Sequence, residues 1–344
     1  MRISIFLIAI AICMGCKTKL SHDYTLDQAK CETSKLSTKA CNSLNELNIG
    51  AVKEIKLIDS NYLVIVDKSA DNRGIHIIDK ETLKPLAQTG VKGEGPQEIS
   101  RYNQIIPYKK GFLMVDYSKH LIYYYNIQEV LKKENYLPSV FSKIENFLTS
   151  IQMGKNNQYT ATKMDVSEEN NNVLLLNIVK GNFMDKQIIK HIAHNARIDS
   201  KLENMDPSKL LCYLEKDRDR MCISYTSYNM ISIVDAEGNS IRNIMGGKNM
   251  KKSNEHCYFK HAQFCNDYLF VDHQDKPIYK KKNNGKNYYV GFDNLLTLDR
   301  QGNLLKSMKT DHNFDQFVVL PNQQEVILYR ENSDAPFSIG KFTI

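Results

Sequence analysis

The stretch that decides the fold runs from residue 230 to residue 244 and reads MISIVDAEGNSIRNI. Two apolar runs in it are separated by the turn Ala236-Glu237-Gly238-Asn239. Gly and Asn supply the positive φ angles that a tight hairpin needs, so the stretch predicts two antiparallel β-strands. The same arrangement returns between residues 294 and 308 as NLLTLDRQGNLLKSM. A hairpin unit is therefore expected to repeat along the chain.

Similar units occur in the N-terminal half. Apolar runs that end in an acid or an amide occupy residues 61–67, 74–79, 111–116 and 121–126. Repeats of about forty to fifty residues built from such units are typical of β-propellers. The count predicts an all-β fold, a six-bladed β-propeller of four-stranded antiparallel blades. Their expected positions are residues 50–95, 100–140, 145–192, 205–247, 256–310 and 313–344.

The last predicted blade has only three strand patterns of its own, at residues 315–320, 325–330 and 338–344. We expect an N-terminal strand within residues 46–57 to supply the fourth and close the ring, because an open ring would leave unpaired strand edges. Helical periodicity is confined to residues 127–135 and 207–214, each enough for a turn or two.

The N-terminus has the organisation of an export signal. Arg2 precedes an apolar run over residues 3–12, which leads into Cys13-Met14-Gly15-Cys16. Such a run is typical of a secretory signal and is too short to span a bilayer. Gly15-Cys16 resembles a bacterial lipobox, which predicts cleavage before Cys16 and acylation of its thiol. The alternative is an ordinary secretory peptide with an incidental cysteine.

These patterns divide the chain into three parts. Residues 1–15 are predicted to be a lipoprotein signal peptide, residues 16–45 a polar tether and lead-in, and residues 46–344 the six-bladed propeller domain. The membrane is thus an expected partner through a lipid anchor at Cys16, since two or more acyl chains give stable attachment.

Six further cysteines fall into three close pairs: Cys31 with Cys41, Cys212 with Cys222, and Cys257 with Cys265. In an oxidising envelope compartment such pairs predict disulfides. The strongest case is Cys212 with Cys222, because residues 210–214 and 221–225 read as two strands of one hairpin. The alternative is that all six are buried small apolar side chains.

The charge balance is moderately basic, with 46 Lys and Arg against 39 Asp and Glu and a formal net charge of +7. This excess is weak support for a polyanionic partner, because solubility explains it equally well. Charged stretches at residues 215–220, 248–252 and 280–286 are interpreted as solvated hairpin tips; the last two also suit a phosphorylated lipid head group or an acidic glycan. No nucleic-acid module or aromatic interleaving accompanies them, so nucleic acid is not an expected partner.

Metal and cofactor sites are not predicted. His256, Cys257, His261 and Cys265 have spacings that suit zinc, but the intervening residues alternate as in a strand and send neighbours to opposite faces. His191 and His194 lack an adjacent carboxylate motif and are interpreted as solvated.

Catalytic residues are not predicted either. A nucleophile elbow, a paired-carboxylate site and a His-Glu-x-x-His helix are all missing from the sequence. Asp67, Asp116, Asp235 and Asp299 recur at the ends of apolar runs, as turn-capping acids do. We take them as equivalent positions of the repeat.

The chain resembles the TolB-like six-bladed propeller lipoproteins of Bacteroidetes. The resemblance rests on the lipobox at Cys16, on GVKGEGPQE at residues 90–98, and on the segments 292–303 and 314–329, which resemble closing blades. Residues 90–98 are similar to the junction that these proteins place after their first blade. We interpret them as a structural turn rather than a phosphate loop, because Glu94 would repel a phosphate and Pro96 lacks an amide donor. The resemblance implies the fold for most of residues 46–344 and little chemistry. The segment after Cys16 lacks the acidic run of resembling surface lipoproteins, which favours a periplasm-facing outer-membrane location.

Three functional hypotheses follow. The favoured one is a non-enzymatic binding or scaffolding module for a protein or glycan ligand, met by the loops of one propeller face. The alternative is an envelope hydrolase or lyase with its site at the channel mouth, which a cluster of acids, His and Arg there would favour. A channel lined by Tyr, Phe and aliphatic side chains would favour binding, and a large exposed apolar patch would favour a structural subunit of an envelope complex.

Overall fold

The fold is a ring of six β-sheets. A computed structural model describes residues 24–26, 30–144, 148–167, 173–184, 187–192, 212–225, 229–246, 258–274, 279–281, 287–289, 291–321 and 324–344. The predicted signal peptide and Cys16 lie outside these residues. Each sheet is built on four antiparallel strands; in the last of them one strand comes from the N-terminal region, and two others carry a fifth, parallel strand from that region.

The N-terminal region and the first two blades contain two short helices. The N-terminal elements are β1 (Tyr24–Thr25), β2 (Glu32–Leu36), β3 (Thr38–Ala40) and α1 (Asn42–Asn45). Blade 1 comprises β4 (Val52–Ile58), β5 (Tyr62–Asp67), β6 (Arg73–Asp79) and β7 (Pro85–Val91). Blade 2 comprises β8 (Gln104–Tyr108), β9 (Gly111–Asp116), β10 (Leu121–Asn126) and β11 (Ser139–Lys143), with α2 (Ile127–Lys132) between its last two strands.

The remaining four blades follow in chain order. Blade 3 comprises β12 (Leu148–Met153), β13 (Gln158–Ser167), β14 (Val173–Asn182) and β15 (Gln187–Ile192). Blade 4 comprises β16 (Cys212–Asp217), β17 (Arg220–Tyr225), β18 (Met230–Asp235) and β19 (Ser240–Met245). Blade 5 comprises β20 (Ala262–Cys265), β21 (Tyr268–His273), β24 (Phe292–Asp299) and β25 (Leu304–Phe314), with the inserted hairpin β22 (Tyr279–Lys281) and β23 (Asn287–Tyr289). Blade 6 comprises β26 (Gln316–Leu320), β27 (Glu325–Tyr329) and β28 (Phe337–Lys341), joined by β3.

Each blade is buried on both faces, which explains its unbroken apolar strands. In β5, Val64 and Val66 pack with blade 2, whereas Leu63 and Ile65 pack with blade 6. Successive side chains of a strand point to opposite faces, so a sheet between two neighbours needs apolar residues at every position. Five hydrophobic clusters lie between neighbouring blades, at the 1/2, 2/3, 4/5, 5/6 and 6/1 contacts. Blades therefore stack face to face around the ring, as the repeat pattern predicts.

The first strands of the blades line the centre of the ring. They contact one another in the cyclic order β4, β8, β12, β16, β20, β26 and back to β4. First strands begin, and second strands end, on one side of the ring, which we call the upper face. The opposite side, which carries the turns between third and fourth strands, is the lower face.

The ring is closed by an N-terminal strand, as predicted, but by a different one. Strand β3 pairs antiparallel with β28, so that Ala40 lies opposite Ser338. The prediction that residues 46–57 close the ring is wrong, because β4 is the innermost strand of blade 1. Its residues Val52, Ile55 and Ile58 are buried against the two neighbouring blades. The closing position is an outer edge, where backbone pairing suffices, and the sequence Thr-Lys-Ala meets that need.

The rest of the N-terminal segment continues along the outer edges of the ring. Strand β2 adds in parallel to β25 of blade 5, and β1 adds in parallel to β19 of blade 4. Three successive blades thus carry an additional strand from residues 24–40 on their outer edge.

Helices are short, as expected. Helix α2 begins after Asn126, whose side-chain oxygen accepts from the backbone amide of Glu129, and it confirms the helical turn expected at residues 127–135. Residues 212–214 of the second expected segment belong to β16, and residues 207–211 lie outside the described part. No helix among the described residues combines the length and apolarity needed to cross a bilayer.

The described cysteines are free thiols. None of these cysteines forms a disulfide: they are Cys31, Cys41, Cys222 and Cys265, and the last three are buried. A Cys212–Cys222 bond does not match the hairpin register, because Cys212 lies opposite Tyr225 and Cys222 opposite Glu215. The predicted Cys31–Cys41 bond is not formed either, since Cys41 packs in the core between blades 1 and 6. Cys257 lies outside the described residues, so Cys265 has no described partner cysteine.

This arrangement predicts how the thiols react. Iodoacetamide is expected to alkylate Cys31 fastest in the folded protein, because Cys41, Cys222 and Cys265 are buried. Burial raises the pKa of Cys222 to about 12 and that of Cys265 to about 11, which further slows alkylation by disfavouring the thiolate. In denaturant without reductant all four should be alkylated, as peptide mapping by mass spectrometry will show. Alkylation of Cys41 or Cys222 only after treatment with dithiothreitol would mean that the thiols are paired.

Candidate functional site

A channel runs through the centre of the ring and forms a cavity of about 680 Å³. All six first strands contribute to its wall. Lysines are its commonest charged residues, and they lie at three levels. Lys53, Lys68 and Lys260 line the upper part, Lys56 the middle, and Lys216 the lower end.

Amide side chains of the first strands join neighbouring blades around the channel. Gln104 exchanges two hydrogen bonds with the backbone of Ile151, donating at 2.8 Å and accepting at 3.0 Å. Gln263 does the same with the backbone of Val319, at 3.0 and 2.8 Å. Gln152 donates to the carbonyl of Leu214 at 2.8 Å. These amides are engaged in holding the ring together.

Glu54 makes the corresponding contact between blades 1 and 2. Its Oε2 accepts from the backbone amide of Ile105 at 2.7 Å. Burial raises the pKa of Glu54, although Lys56 and the hydrogen bond from Ile105 oppose the increase. Gln316 joins blade 6 to blade 1 by donating to the carbonyl of Lys53 at 2.7 Å.

An ion pair crosses the middle of the channel. Lys56 of β4 and Glu215 of β16 lie 3.0 Å apart (Nζ to Oε2), and these strands belong to blades 1 and 4, which are opposite in a ring of six. Glu54 Oε1 lies 4.0 Å from the same Nζ. Burial disfavours the charged lysine, but Glu215 and Glu54 outweigh it and raise the pKa of Lys56. We call the part of the channel above this pair, which Lys53 and Lys260 line, the upper chamber.

Four cations of the described residues lie around the upper mouth. Lys53 lies near the start of β4, Lys260 precedes β20, Arg101 precedes β8, and Lys68 follows β5. Lys68 pairs with Glu331 at 3.4 Å. Burial lowers the pKa of Lys53; the negative charge of Glu54 opposes this decrease, whereas the positive charges of Lys260, Lys68 and Arg101 add to it. Within the described residues, no carboxylate lies at ion-pair distance from Lys53, Lys260 or Arg101.

Buried acids close the upper end of three blades. Asp67 and Asp116 end second strands and Asp272 is the last residue but one of β21; each accepts hydrogen bonds from backbone amides just before the first strand of the same blade. Burial would raise the pKa of Asp67, but bonds from Ser69, Gly50 and Ala51 outweigh it and lower the pKa. These three carboxylates therefore have a structural role.

Asp235 and Asp299 belong to a different set, which corrects their predicted equivalence with Asp67 and Asp116. They end third strands on the lower face. Each accepts from the amides two and four residues later and from the Asn side chain of the turn, Asn239 or Asn303. Turn capping is confirmed, but in exposed hairpins.

A His–Asp pair lies in the channel wall of blade 5. His261 Nδ1 is 2.7 Å from Asp272 Oδ2, and His261 is half-buried. In blade 2 the hydroxyl of Ser100 bonds to Asp116 in the same way. The His261 imidazole thus adds a side-chain hydrogen bond to the backbone bonds that Asp272 accepts. Burial and Lys260 lower the pKa of His261 more than Asp272 raises it.

The zinc spacing does not produce a described metal centre. His256 and Cys257 lie outside the described residues, whereas His261 faces Asp272 and Cys265 packs between blades 5 and 6. Across the described residues no three His, Cys, Asp or Glu side chains are grouped to hold a metal ion. Of the two histidines that the sequence predicts to be solvated, His191 lies on β15 and His194 is outside the described part.

The charged stretches occupy hairpins where they are described. Residues 215–220 span the turn between β16 and β17, where Asp217 and Asp219 bind Arg300 at 2.6 and 3.0 Å. Strands β22 and β23 flank the lysine-rich residues 282–286, which lie outside the described part. The third charged stretch, residues 248–252, also lies outside it. The inserted hairpin leaves blade 5 from its upper face, between β21 and β24.

The junction at residues 90–98 is a structural turn, as predicted. It connects blades 1 and 2 and wraps around Lys119, whose Nζ donates to the carbonyls of Gly93, Gly95 and Glu98 at 2.8–3.0 Å. The loop thus surrounds an ammonium group with carbonyl oxygens and has no amide cradle for a phosphate.

Sequence reasoning missed the channel residues Lys53, Glu54 and Lys56, and its interpretation of Glu215 as part of a solvated hairpin tip is wrong, because Glu215 lies in β16 and pairs with Lys56. The available signal was the polar residues of the first strands, which interrupt an otherwise apolar repeat. Charged residues on a strand are usually solvated, and sequence alone does not show that β4 and β16 face each other across a channel.

Comparisons with known proteins reveal the fold and no family. No family model matches the chain, and no curated protein matches it. Among solved structures, a member of the DUF4221 family from Bacteroides vulgatus superposes with a TM-score of 0.55 at 9% identity, over 92% of this chain and 94% of that one. This likeness supports the propeller fold alone.

Two other solved structures match less closely. The β-propeller domain of Cps50 (Swd1) from Myceliophteria thermophila has a TM-score of 0.46 at 10% identity, over 89% of this chain and all (100%) of that one. The extracellular domain of BT4673 from B. thetaiotaomicron has a TM-score of 0.47 at 12% identity, over 84% of this chain and 33% of that one.

Proposed function

We propose that this chain is a lipoprotein, acylated at Cys16 and held on the outer membrane facing the periplasm, whose propeller is a non-enzymatic binding or scaffolding module. Its ligand is a protein or glycan that meets the loops of the upper face. The observation that carries the proposal is the open central cavity of about 680 Å³, whose upper mouth combines unpaired cations with loops from several blades.

The described acids support binding over catalysis. Glu54 accepts from a backbone amide, Glu215 pairs with Lys56, and Asp67, Asp116 and Asp272 accept from amides at the blade ends. A general acid or base must reach the substrate, so carboxylates that hold the ring together are poorly placed for that work. The channel lining combines charged and amide side chains with apolar ones, Tyr117, Phe264 and Phe317 among them, which suits a ligand that has both polar and apolar groups.

The test is site-specific crosslinking in the native envelope. Tyr117 lines the upper part of the channel and Met153 the lower end, so each is replaced separately by the photoreactive residue benzoylphenylalanine. We expect a discrete adduct on irradiation of cells carrying the Tyr117 replacement and none with the Met153 replacement. Adducts at position 153 only, or at neither position, would contradict ligand binding at the upper face.

One observation favours the alternative, an envelope hydrolase or lyase. A histidine oriented by a buried carboxylate, as His261 is by Asp272, is a frequent arrangement for general bases. His261→Gln separates the two functions: loss of hydrolysis of envelope glycans or peptides by the purified protein, with unchanged crosslinking at position 117, would identify an enzyme. Crosslinking without any turnover by the natural protein would identify a binding module.

A further inference from the structure

The upper chamber of the channel contains lysines that form no ion pair with any carboxylate of the described residues. Lys53 and Lys260 both line it, and Arg101 precedes β8 at the same end of the ring. The lysines of the middle and of the rim differ from them, because Lys56 pairs with Glu215 and Lys68 with Glu331. Lys53, Lys260 and Arg101, which have no ion-pair partner among the described residues, thus lie at the upper end of the channel, where a ligand can contact them.

Glu54 favours the charged form of Lys53, but the acids in the chamber wall are bonded to other groups and form no ion pair with these cations. Glu54 is directed to the amide of Ile105 and to Lys56. Asp315 is buried at the start of blade 6, and its Oδ2 accepts from the backbone amide of Glu331 at 2.6 Å. Cations that repel one another in a partly enclosed space are stabilised when an anion is bound among them.

The shape of the chamber limits what enters. The Lys56–Glu215 pair joins opposite walls below it, so the channel is narrowed at that level, although the cavity continues to Met153 and Lys216 at the lower end. A folded protein surface cannot descend into a channel of this size, whereas a small acid or the end of an acidic oligosaccharide can. The lysines are on different blades, so one ligand bridges several walls.

We propose that the upper chamber binds an oxyanion ligand, a carboxylate, sulfate or phosphate group, which Lys53 and Lys260 hold from blades 1 and 5 with Arg101 at the mouth. This inference rests on the proposed function and names the ligand chemistry of that site. Two sources carry such groups: acidic oligosaccharides and free inorganic anions.

The test is calorimetric titration of the purified protein, without its signal peptide and lipid, with trigalacturonate, inorganic phosphate, inorganic sulfate and neutral maltotriose. We expect an acidic probe to bind and maltotriose not to bind. Lys53→Gln and Lys260→Gln are each expected to weaken binding about tenfold or more, because each removes a charge-assisted hydrogen bond. Raising the salt concentration from 50 to 300 mM should also weaken it.

Lys216→Gln is the matched control. Lys216 lines the same channel at its lower end, where its Nζ lies 3.2 Å from Thr160 Oγ1, so its loss should leave the affinity unchanged. Thermal melts of all three variants establish that each is folded. Binding of trigalacturonate identifies an oligosaccharide source, and binding of phosphate or sulfate alone identifies a free anion.

The proposal is overturned if no acidic probe binds at millimolar concentration, if maltotriose binds equally well, or if Lys216→Gln has the same effect as the upper variants. Its failure is distinguishable from that of the proposed function. Crosslinking at position 117 with no anion dependence would leave the binding module intact and reject the oxyanion. Absence of any crosslink would reject the module whatever the calorimetry shows.

Discussion

Replacement of Asp116 by alanine is expected to lower the free energy of unfolding by about 3–5 kcal/mol. The carboxylate is fully buried and accepts from the backbone amides of Ser100 at 2.7 Å, Ser118 at 3.0 Å and Arg101 at 3.3 Å. Alanine would leave these donors without a partner where little water reaches. Urea denaturation monitored by circular dichroism measures the loss.

Asp299→Ala is the control for that prediction. Asp299 accepts a similar set of bonds, from the amides of Gln301 and Asn303 at 2.9 and 2.8 Å, but in an exposed turn of the lower face. Water can replace the missing oxygens there, so we expect a loss of about 1 kcal/mol. Equal losses for the two variants would show that burial of the carboxylate does not determine its contribution.

Lys56→Met is expected to lower the free energy of unfolding by about 2–3 kcal/mol at neutral pH. The substitution removes the cation that Glu215 and Glu54 share, and leaves two carboxylates facing each other in the channel. Exposed fractions of 22% for Lys56 and 18% for Glu215 place the pair between a buried and a surface ion pair, hence the intermediate value.

The deficit should depend on pH in a defined direction. The pKa of Glu54 is already raised, and Lys56 is the strongest group that opposes the increase, so the variant raises this pKa further. A carboxyl with a raised pKa in the folded state costs nothing below about pH 4, where the unfolded chain is also protonated, and the cost grows as pH rises through the folded pKa. The deficit of Lys56→Met should therefore shrink on acidification.

Adding Glu215→Gln to Lys56→Met tests the coupling directly. The double variant should regain part of the loss, and the double-mutant cycle should give a coupling of about 1 kcal/mol or more. Lys84→Met, at an exposed position of the turn between β6 and β7, is the control for removal of a lysine and should change stability by less than about 0.5 kcal/mol. A deficit independent of pH, or a coupling near zero, would mean that the pair contributes little.

Much of the ring could be predicted from local pattern. The hairpin at residues 230–244 is β18 and β19 with Gly238 at positive φ, and the one at residues 294–308 lies in β24 and β25 with Gly302 at positive φ. Such turns depend on residues that are adjacent in sequence, so the chain order reveals them. The six predicted blade positions match the six sheets for the same reason.

The closing strand and the channel site could not be located in this way. Strand β3 has only three residues and one neighbour, so it needs no apolar pattern, whereas residues 52–58 have a strand pattern that fits either an edge or an inner position. Lys56 and Glu215 are 159 positions apart in the chain, and only the curvature of the ring brings them together. Contacts across a ring depend on the number of blades and on strand register, which no local window contains.

The strands at residues 24–40 set how far the ring can stand from a bilayer. A chain free from Cys16 to the start of β4 could extend about 125 Å, but one already fixed at Tyr24 has about 28 Å. An acylated Cys16 would thus keep the outer edge of blade 4 within about 28 Å of the lipid. The propeller could change its tilt on this tether but could not move away from the membrane. Any ligand would therefore have to reach the protein close to the membrane surface, rather than meet it far from the membrane.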